Sequence, residues 1–266
     1  MFPIGAEPST HRIRFADVLG LGRPQLVVSP LIKSQGDGVR LTAFEIPKNP
    51  RTERWSATIL DQSMNRMHNH WHVDWDRDGR IDTLTASAEG IHLVLREGLN
   101  SYHARISPGS EGDSPDASGA GEIKVGRLNT AGERYIASIE PMHGNQVVVY
   151  LAETSADGKE TWRRSVIDDS LKRGHALWTA DVDNDGIDEL VAGHSDAGTG
   201  SIKGPGLFVY RRDDLQLNRW TKHIVDDGGI ATEDACAADI DGDGRIDLVA
   251  GGRATHNLKL YLNRGK

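Results

Sequence analysis

The sequence predicts an all-β fold, a propeller of four-stranded blades, on three observations. A loop motif recurs with starts at residues 17, 74, 127, 181 and 239, spacings of 57, 53, 54 and 58 residues. Each unit marked this way divides into four short runs whose hydrophobicity alternates with period two, the signature of strands and not of helices. Composition agrees: 30 glycines in 266 residues, 26% charged and only 37% hydrophobic, suit many short strands joined by tight turns.

The repeats justify themselves in order. Repeat one (11–63) carries a weak loop at Asp17, in ADVLGLGRPQLVVS, and closes on the outer-strand phrase Trp55-SATILDQ. Repeat two (68–107) has the full loop Asp74-Trp-Asp-Arg-Asp-Gly-Arg-Ile-Asp82 and only a faint closing phrase near Tyr102. Repeat three (121–169) has a weak loop at Arg127, in GRLNTAGERYIASI, and closes on Trp162-RRSVIDD. Repeat four (175–227) reads most plainly, as HALWTADV, the loop Asp181-Val-Asp-Asn-Asp-Gly-Ile-Asp-Glu189, ELVAGHS, GLFVYRR and Trp220-TKHIVDD. Repeat five (233–266) has the loop Asp239-Ile-Asp-Gly-Asp-Gly-Arg-Ile-Asp247 and ends at NLKLYLNRGK without a fourth strand. Met1 to Ile4 are expected to supply that strand and tie the ring shut. The reading is a single domain over 1–266, a five-bladed ring in preference to part or a relative of a larger, seven-bladed one.

Several classes are excluded. No apolar run approaches the roughly 18 residues of a membrane span. Met1 to Thr10 lack the basic and apolar regions of a signal peptide. Cys236 is the only cysteine, so neither an intrachain disulfide nor a cysteine-ligated zinc site is possible. It shares its register, three before the loop, with Trp71 and Trp178, and is expected to be a small buried hydrophobe. The two tryptophans are read as interblade core, with stacking on a sugar as the functional alternative. A formal charge of −8 argues against nucleic acid as the partner. Twelve acidic side chains occupy the ligand positions of the three full loops, and without them the charge would be +4.

In D-x-D-x-D-G-x-x-D/E, carboxylates fall at positions 1, 3, 5 and 9, glycine at 6 permits a sharp turn, and a backbone carbonyl is offered at 7. That spacing of hard oxygens suits calcium. The expected ligands are Asp74, Asp76, Asp78 and Asp82; Asp181, Asp183, Asp185 and Glu189; and Asp239, Asp241, Asp243 and Asp247. An EF-hand is excluded, since it needs flanking helices and a bidentate glutamate at position 12. In repeat one Leu19 and Leu21, and in repeat three Arg127 and Ala131, occupy ligand positions, so those two loops are read as solvated turns. The ions are expected to be structural, and they favour an extracytoplasmic (periplasmic or secreted) setting.

Chemistry is expected at the opposite end of each blade. The residue six before each loop start is His11, His68, Gly121, His175 and Glu233, at the entry to the inner strand. The turns between second and third strands, at the same end, carry Lys33, Glu89, His143, His194, Lys203, Arg253 and His256. Loop residues held on rigid strands make binding and catalytic mouths. His68, His143 and His175 are the candidates for a zinc or manganese site, with Glu233 or His11 as fourth ligand or base. His70 and His72 share a strand with His68 and are read as packing between blades.

The loops resemble FG-GAP/VCBS repeats along essentially the whole chain. Three phrases, IEPMHGNQVVVY (139–150), VIDDSLKRGHALWTADVDNDG (166–186) and VDDGGIATEDACAADIDGDGRIDLVAGGRATHN (225–257), are similar to the propeller domain of aldos-2-ulose dehydratase-like proteins. That resemblance implies elimination of water from keto-sugars such as 1,5-anhydrofructose, with a metal in a propeller cleft; larger members have seven blades followed by cupin domains. It further implies Glu233 or Glu122 as the base, with Arg253, His256 or Lys33 holding substrate oxygens. Two functions are carried forward. The first is a metal-dependent lyase eliminating water or an alcohol from a keto-sugar or oxidised glycoside. The second is a non-catalytic, calcium-stabilised propeller that binds carbohydrate or protein.

Overall fold

The computed structural model describes residues 2–33, 36, 38–97, 100–114, 116–197, 202–214 and 218–265. It divides into two compact units, 1–123 and 124–266. No helix occurs among the described residues, so none is long and apolar enough to cross a membrane.

The chain is an all-β propeller of five antiparallel blades. In the first unit, blade one is β1 (Thr10–Ala16), β2 (Gln25–Pro30), β3 (Leu41–Glu45) and β4 (Ala57–Asp61). Blade two is β5 (Met67–Val73), β6 (Asp82–Ser87), β7 (Gly90–Glu97) and β8 (Asn100–Ser107). Blade three is β9 (Glu122–Arg127), β10 (Arg134–Glu140), β11 (Gln146–Thr154) and β12 (Glu160–Asp168). Blade four is β13 (Gly174–Ala180), β14 (Glu189–His194), β15 (Gly206–Asp214) and β16 (Arg219–Asp227). Blade five is β17 (Thr232–Ala238), β18 (Asp247–Gly252) and β19 (Asn257–Tyr261). Consecutive strands pair, so each blade is a meander and every acidic loop joins strands one and two.

The pattern of burial follows strand order. The second strands β2, β6 and β14 are buried at every position, sandwiched on both faces, and read accordingly as runs of Val, Leu, Ala and Ser. The outer strands β12 and β16 alternate instead, with one face solvated. Separate cores form in each unit, one around Val27, Leu41 and Met67, another around Tyr135, Val149, Leu190 and Phe208.

Two sequence expectations are corrected. Residues 2–4 form no strand, and Met1 lies outside the described residues; blade five has three strands among the described residues. Pro3 has no N–H for a ladder, and the segment after it serves blade one. Gly5 lies against the Phe44 ring, where a Cβ would come within 2.7 Å, and Glu7 pairs with Arg40 at 2.9 Å. Cys236 is exposed, not buried. The two tryptophans of its register are half-buried and capped by cations, Arg14 over Trp71 and Lys124 over Trp178. Cys236 has no such cap among the described contacts.

The recurring outer-strand phrase has a physical purpose. In blades three and four its aspartate is clamped by a tyrosine of the third strand of the next blade. Asp168 accepts from Tyr210 Oη at 2.5 Å and Lys222 Nζ at 2.6 Å; Asp226 accepts from Tyr261 Oη and Lys259 Nζ, both at 2.7 Å. Burial pushes the Asp168 carboxyl up, and the bonds from Lys222, Tyr210 and Ser170 outweigh it and hold the group below its ordinary value. Tyr210→Phe is expected to cost about 1.5–3 kcal/mol, the range for a bond to a charged acceptor. Urea unfolding checks it; a loss under about 0.5 kcal/mol would show the clamp to be incidental.

Candidate functional site

In the second unit the sequence-predicted residues of blades three to five meet around one imidazole. His175 opens β13 and donates its Nδ1–H to the carbonyl of Glu233 at 2.8 Å. A carbonyl only accepts, so the proton of the neutral ring resides on Nδ1 and the lone pair on Nε2. That lone pair faces Glu233 Oε2 at 3.3 Å. Two acceptor atoms this close require a proton or a cation between them. His143 stacks on His175, with ring centroids 4.8 Å apart and planes at 25°.

The β10–β11 turn presents His143. Its backbone is in the left-handed region, φ 53°, and the next residue must be glycine because a Cβ on Gly144 would fall 2.1 Å from the Glu140 carbonyl oxygen. Glu233 is 20% exposed and is oriented from its other oxygen: Ser195 Oγ donates to Oε1 at 3.1 Å, and the exposed Arg253 guanidinium stands 4.0 Å away. His256 is exposed at the far end of the Arg253 turn, again with a left-handed backbone. His194 is buried at the end of β14, where Nδ1 accepts the Lys172 N–H.

The first unit repeats the device. His68 is fully buried and donates Nδ1–H to the Gly121 carbonyl at 2.7 Å, while His11 packs against it with ring centroids 4.5 Å apart. Gly121 and Glu233 hold the same register, so in each unit a histidine six before its loop is fixed by the backbone of the next blade. Such a bond to the far ring nitrogen is how metal-ligating histidines are oriented. Glu122 differs from Glu233. It is only 2% exposed, paired with Arg12 at 2.6 Å and with the Asn69 amide, and 3.3 Å from His68 Nδ1. Proton transfer to it would have to break that ion pair. Lys33 is exposed in the first unit and donates to Asn65. His70 and His72 bond to each other at 2.9 Å, and burial, then the charge of Arg14, pushes His72 down to about 3.

The acidic loops bring part of each expected ligand set together. Asp74, Asp76 and Asp78 converge in loop two, Asp181, Asp183 and Glu189 in loop four, and Asp239, Asp241 and Asp247 in loop five, with ligand atoms within 4.8 Å of one another. The remaining members are engaged by protein donors. Asp82 accepts from the Trp75 and Arg96 N–H groups, Asp185 from Ile187, and Asp243 from the Arg245 side chain and backbone. Loop four fits a cation on two further grounds. Asp181 Oδ1 is buried without a hydrogen-bond partner, and burial, then Asp183 and Asp185, raise Glu189 to about 7.

The weak loops show what replaces an ion. In loop one the Gln25 amide nitrogen donates to Asp17 Oδ1 at 3.2 Å and to the Arg23 carbonyl. In loop three Arg127 brings its own cation and pairs with Asp188 at 3.0 Å and Asp181 at 3.6 Å, while Tyr135 at position 9 donates to the Asp188 carbonyl. Sequence reasoning missed Gln25, Tyr135 and Ser195. Position 9 of the repeat frame signals the first two; Ser195 follows a strand end and has no signal.

With this geometry in place, comparison with known proteins is specific. A family model described as the β-propeller domain of aldos-2-ulose dehydratase matches residues 2–153, and an FG-GAP-like repeat model matches 181–250. The aldos-2-ulose dehydratase of Phanerodontia chrysosporium is 26% identical over 257 residues, covering 87% of this chain. The chain spans 28% of that relative's length. A solved structure of an Agrocybe aegerita lectin, described as recognising non-reducing terminal N-acetylglucosamine, has a TM-score of 0.54 at 15% identity. It covers 98% of this chain and 65% of its own, a likeness of fold alone.

Proposed function

The chain belongs to the aldos-2-ulose dehydratase β-propeller family, and from that premise we propose that it is a metal-assisted carbon–oxygen lyase that eliminates water or an alcohol from a keto-sugar or oxidised glycoside. The observation that supports it is the Nε2 lone pair of His175 fixed 3.3 Å from the Glu233 carboxylate. In the second unit the ligands are the stacked pair His143 and His175; in the first, His68 with His11 against it is a separate candidate. When bound there, zinc or manganese supplies a Lewis acid that polarises the ketone beside the proton to be lost.

The protein's own groups do the rest. Glu233 takes the proton alpha to the ketone. Ser195 donates to Oε1 and so leaves Oε2, on the His175 side, as the receiving oxygen, and Arg253 adds positive charge beside Oε1 for a substrate hydroxyl. His256, on the Arg253 turn, is the candidate to protonate the leaving oxygen. The acidic loops, at the other end of each blade, hold calcium as structural ions. Calcium dependence favours an extracytoplasmic setting.

The test is an elimination assay on 1,5-anhydrofructose, following the ultraviolet absorbance of the enone. Wild type is expected to turn over and Glu233→Gln to lose about 10²- to 10⁴-fold, the range for a positioned base. No enone from wild type supplied with zinc or manganese overturns the lyase reading. The second function, a carbohydrate-binding propeller, would then stand on the half-buried Trp71 and Trp178 of the inner strands.

A further inference from the structure

We propose that the first unit holds a binding site for a neutral pyranose ring, in the cleft between blades one and two. The cleft has a volume of about 650 Å³ and is lined by Ile32, Lys33, Asn65, Arg66, Ala88, Glu89 and Ser118. That volume is in the range of small-molecule sites. Its residues come from the second-to-third-strand turns of both blades, the connection between them and, at Ser118, the connection that follows blade two.

One wall is a fixed row of donors and acceptors. Lys33 Nζ donates to Asn65 Oδ1 at 3.0 Å, and Asn65 Nδ2 and backbone N–H donate to Glu89 Oε1 at 3.0 and 3.1 Å. The Asn65 amide is therefore held in one orientation. An ammonium has three donors, and Asn65 takes one from Lys33. The second oxygen of Glu89 is withdrawn from solvent with no hydrogen-bond partner, as is Nε of Arg66. Unmet polar groups of this kind are costly and reward a ligand that satisfies them.

The chemistry selects the ligand. Neighbouring hydroxyls of a sugar each donate and accept, which matches a wall where Lys33 and Arg66 donate and Glu89 accepts. Ile32, 45% exposed, and Ala88 offer an apolar surface to the C–H face of a ring. Lys33 and Arg66 are balanced by Glu89 and by Asp116, which pairs with Arg66 at 2.5 Å. That balance favours a neutral polyol over a phosphate or polyanion.

The inference rests on the carbohydrate half of the lyase reading and needs no metal. Its test is ¹⁵N NMR of the whole chain titrated with methyl β-glucoside, methyl β-galactoside, methyl α-mannoside and methyl β-N-acetylglucosaminide at millimolar concentrations. At least one is expected to give saturable shifts at the Asn65, Arg66 and Glu89 amides. Glu89→Gln and Lys33→Met should each weaken that binding about tenfold while leaving the rest of the spectrum in place, and His143→Ala with His175→Ala should not change it. No saturable shift at these amides with any of the four, or an unchanged midpoint in both cleft variants, overturns the proposal. The titration reads binding alone, so a failed elimination assay leaves it standing and its own failure leaves that assay untouched.

Discussion

Chelating calcium is expected to lower the midpoint of thermal unfolding by roughly 15–30 °C. Each ion-binding loop present at about a hundred times its dissociation constant contributes about 2.7 kcal/mol, so three contribute about 8 kcal/mol. In a chain of this size each kcal/mol moves the midpoint by roughly 2–4 °C. The loops have a reason to depend on the ion: each gathers three carboxylates within 4.8 Å. The pH dependence carries the same signature. Burial, then Asp183 and Asp185, raise Glu189 from 4.5 to about 7, so the calcium-free native state holds a proton that the unfolded chain releases. Calcium-free stability therefore falls as pH rises from 4.5 to about 7, and calcium, taking the place of the proton, flattens that slope. Differential scanning fluorimetry with and without EGTA across that window reads both effects. A midpoint indifferent to chelator at every pH would mean the loops are solvated turns.

Replacing His68, His143 and His175 together by alanine is expected to lower enone formation about a thousandfold or more, some 4 kcal/mol of transition-state stabilisation. Loss of fold is a competing cause, because His68 and His175 are buried. The calcium-dependent midpoint separates the two. If it is retained while activity falls, the histidines act in the chemistry; if both collapse, His143→Gln and His175→Gln, which keep a polar side chain of similar reach and alter one unit only, repeat the comparison. Full activity in a folded triple variant would remove these imidazoles from the mechanism.

The repeat frame made most of the fold legible. Period-two runs located all four strands of blade four, and the 53-to-58-residue spacings placed all five acidic or degenerate loops. That residues 2–4 form no strand was not legible, because strand completion depends on which backbone groups remain unpaired, and so short a segment with Pro3 carries no periodicity. Cys236 was misplaced because register alone does not report the cation that covers Trp71 and Trp178 but has no counterpart over the sulfur. At the candidate site, the register six before each loop brought out His175 and Glu233, which the second unit places 3.3 Å apart. The sequence did not show that Glu122 is held by Arg12, since that ion pair joins residues 110 positions apart in the chain. Tautomers were equally out of reach: they are set by the carbonyls of Gly121 and Glu233, and every residue has a carbonyl.

The central claim, that oriented histidines hold a transition metal, is tested most directly by inductively coupled plasma mass spectrometry of the purified chain and the His68/His143/His175 triple alanine variant. The account predicts zinc or manganese in wild type, lost in the variant, with calcium retained in both. Calcium alone in wild type, even after incubation with added zinc and manganese, would contradict it.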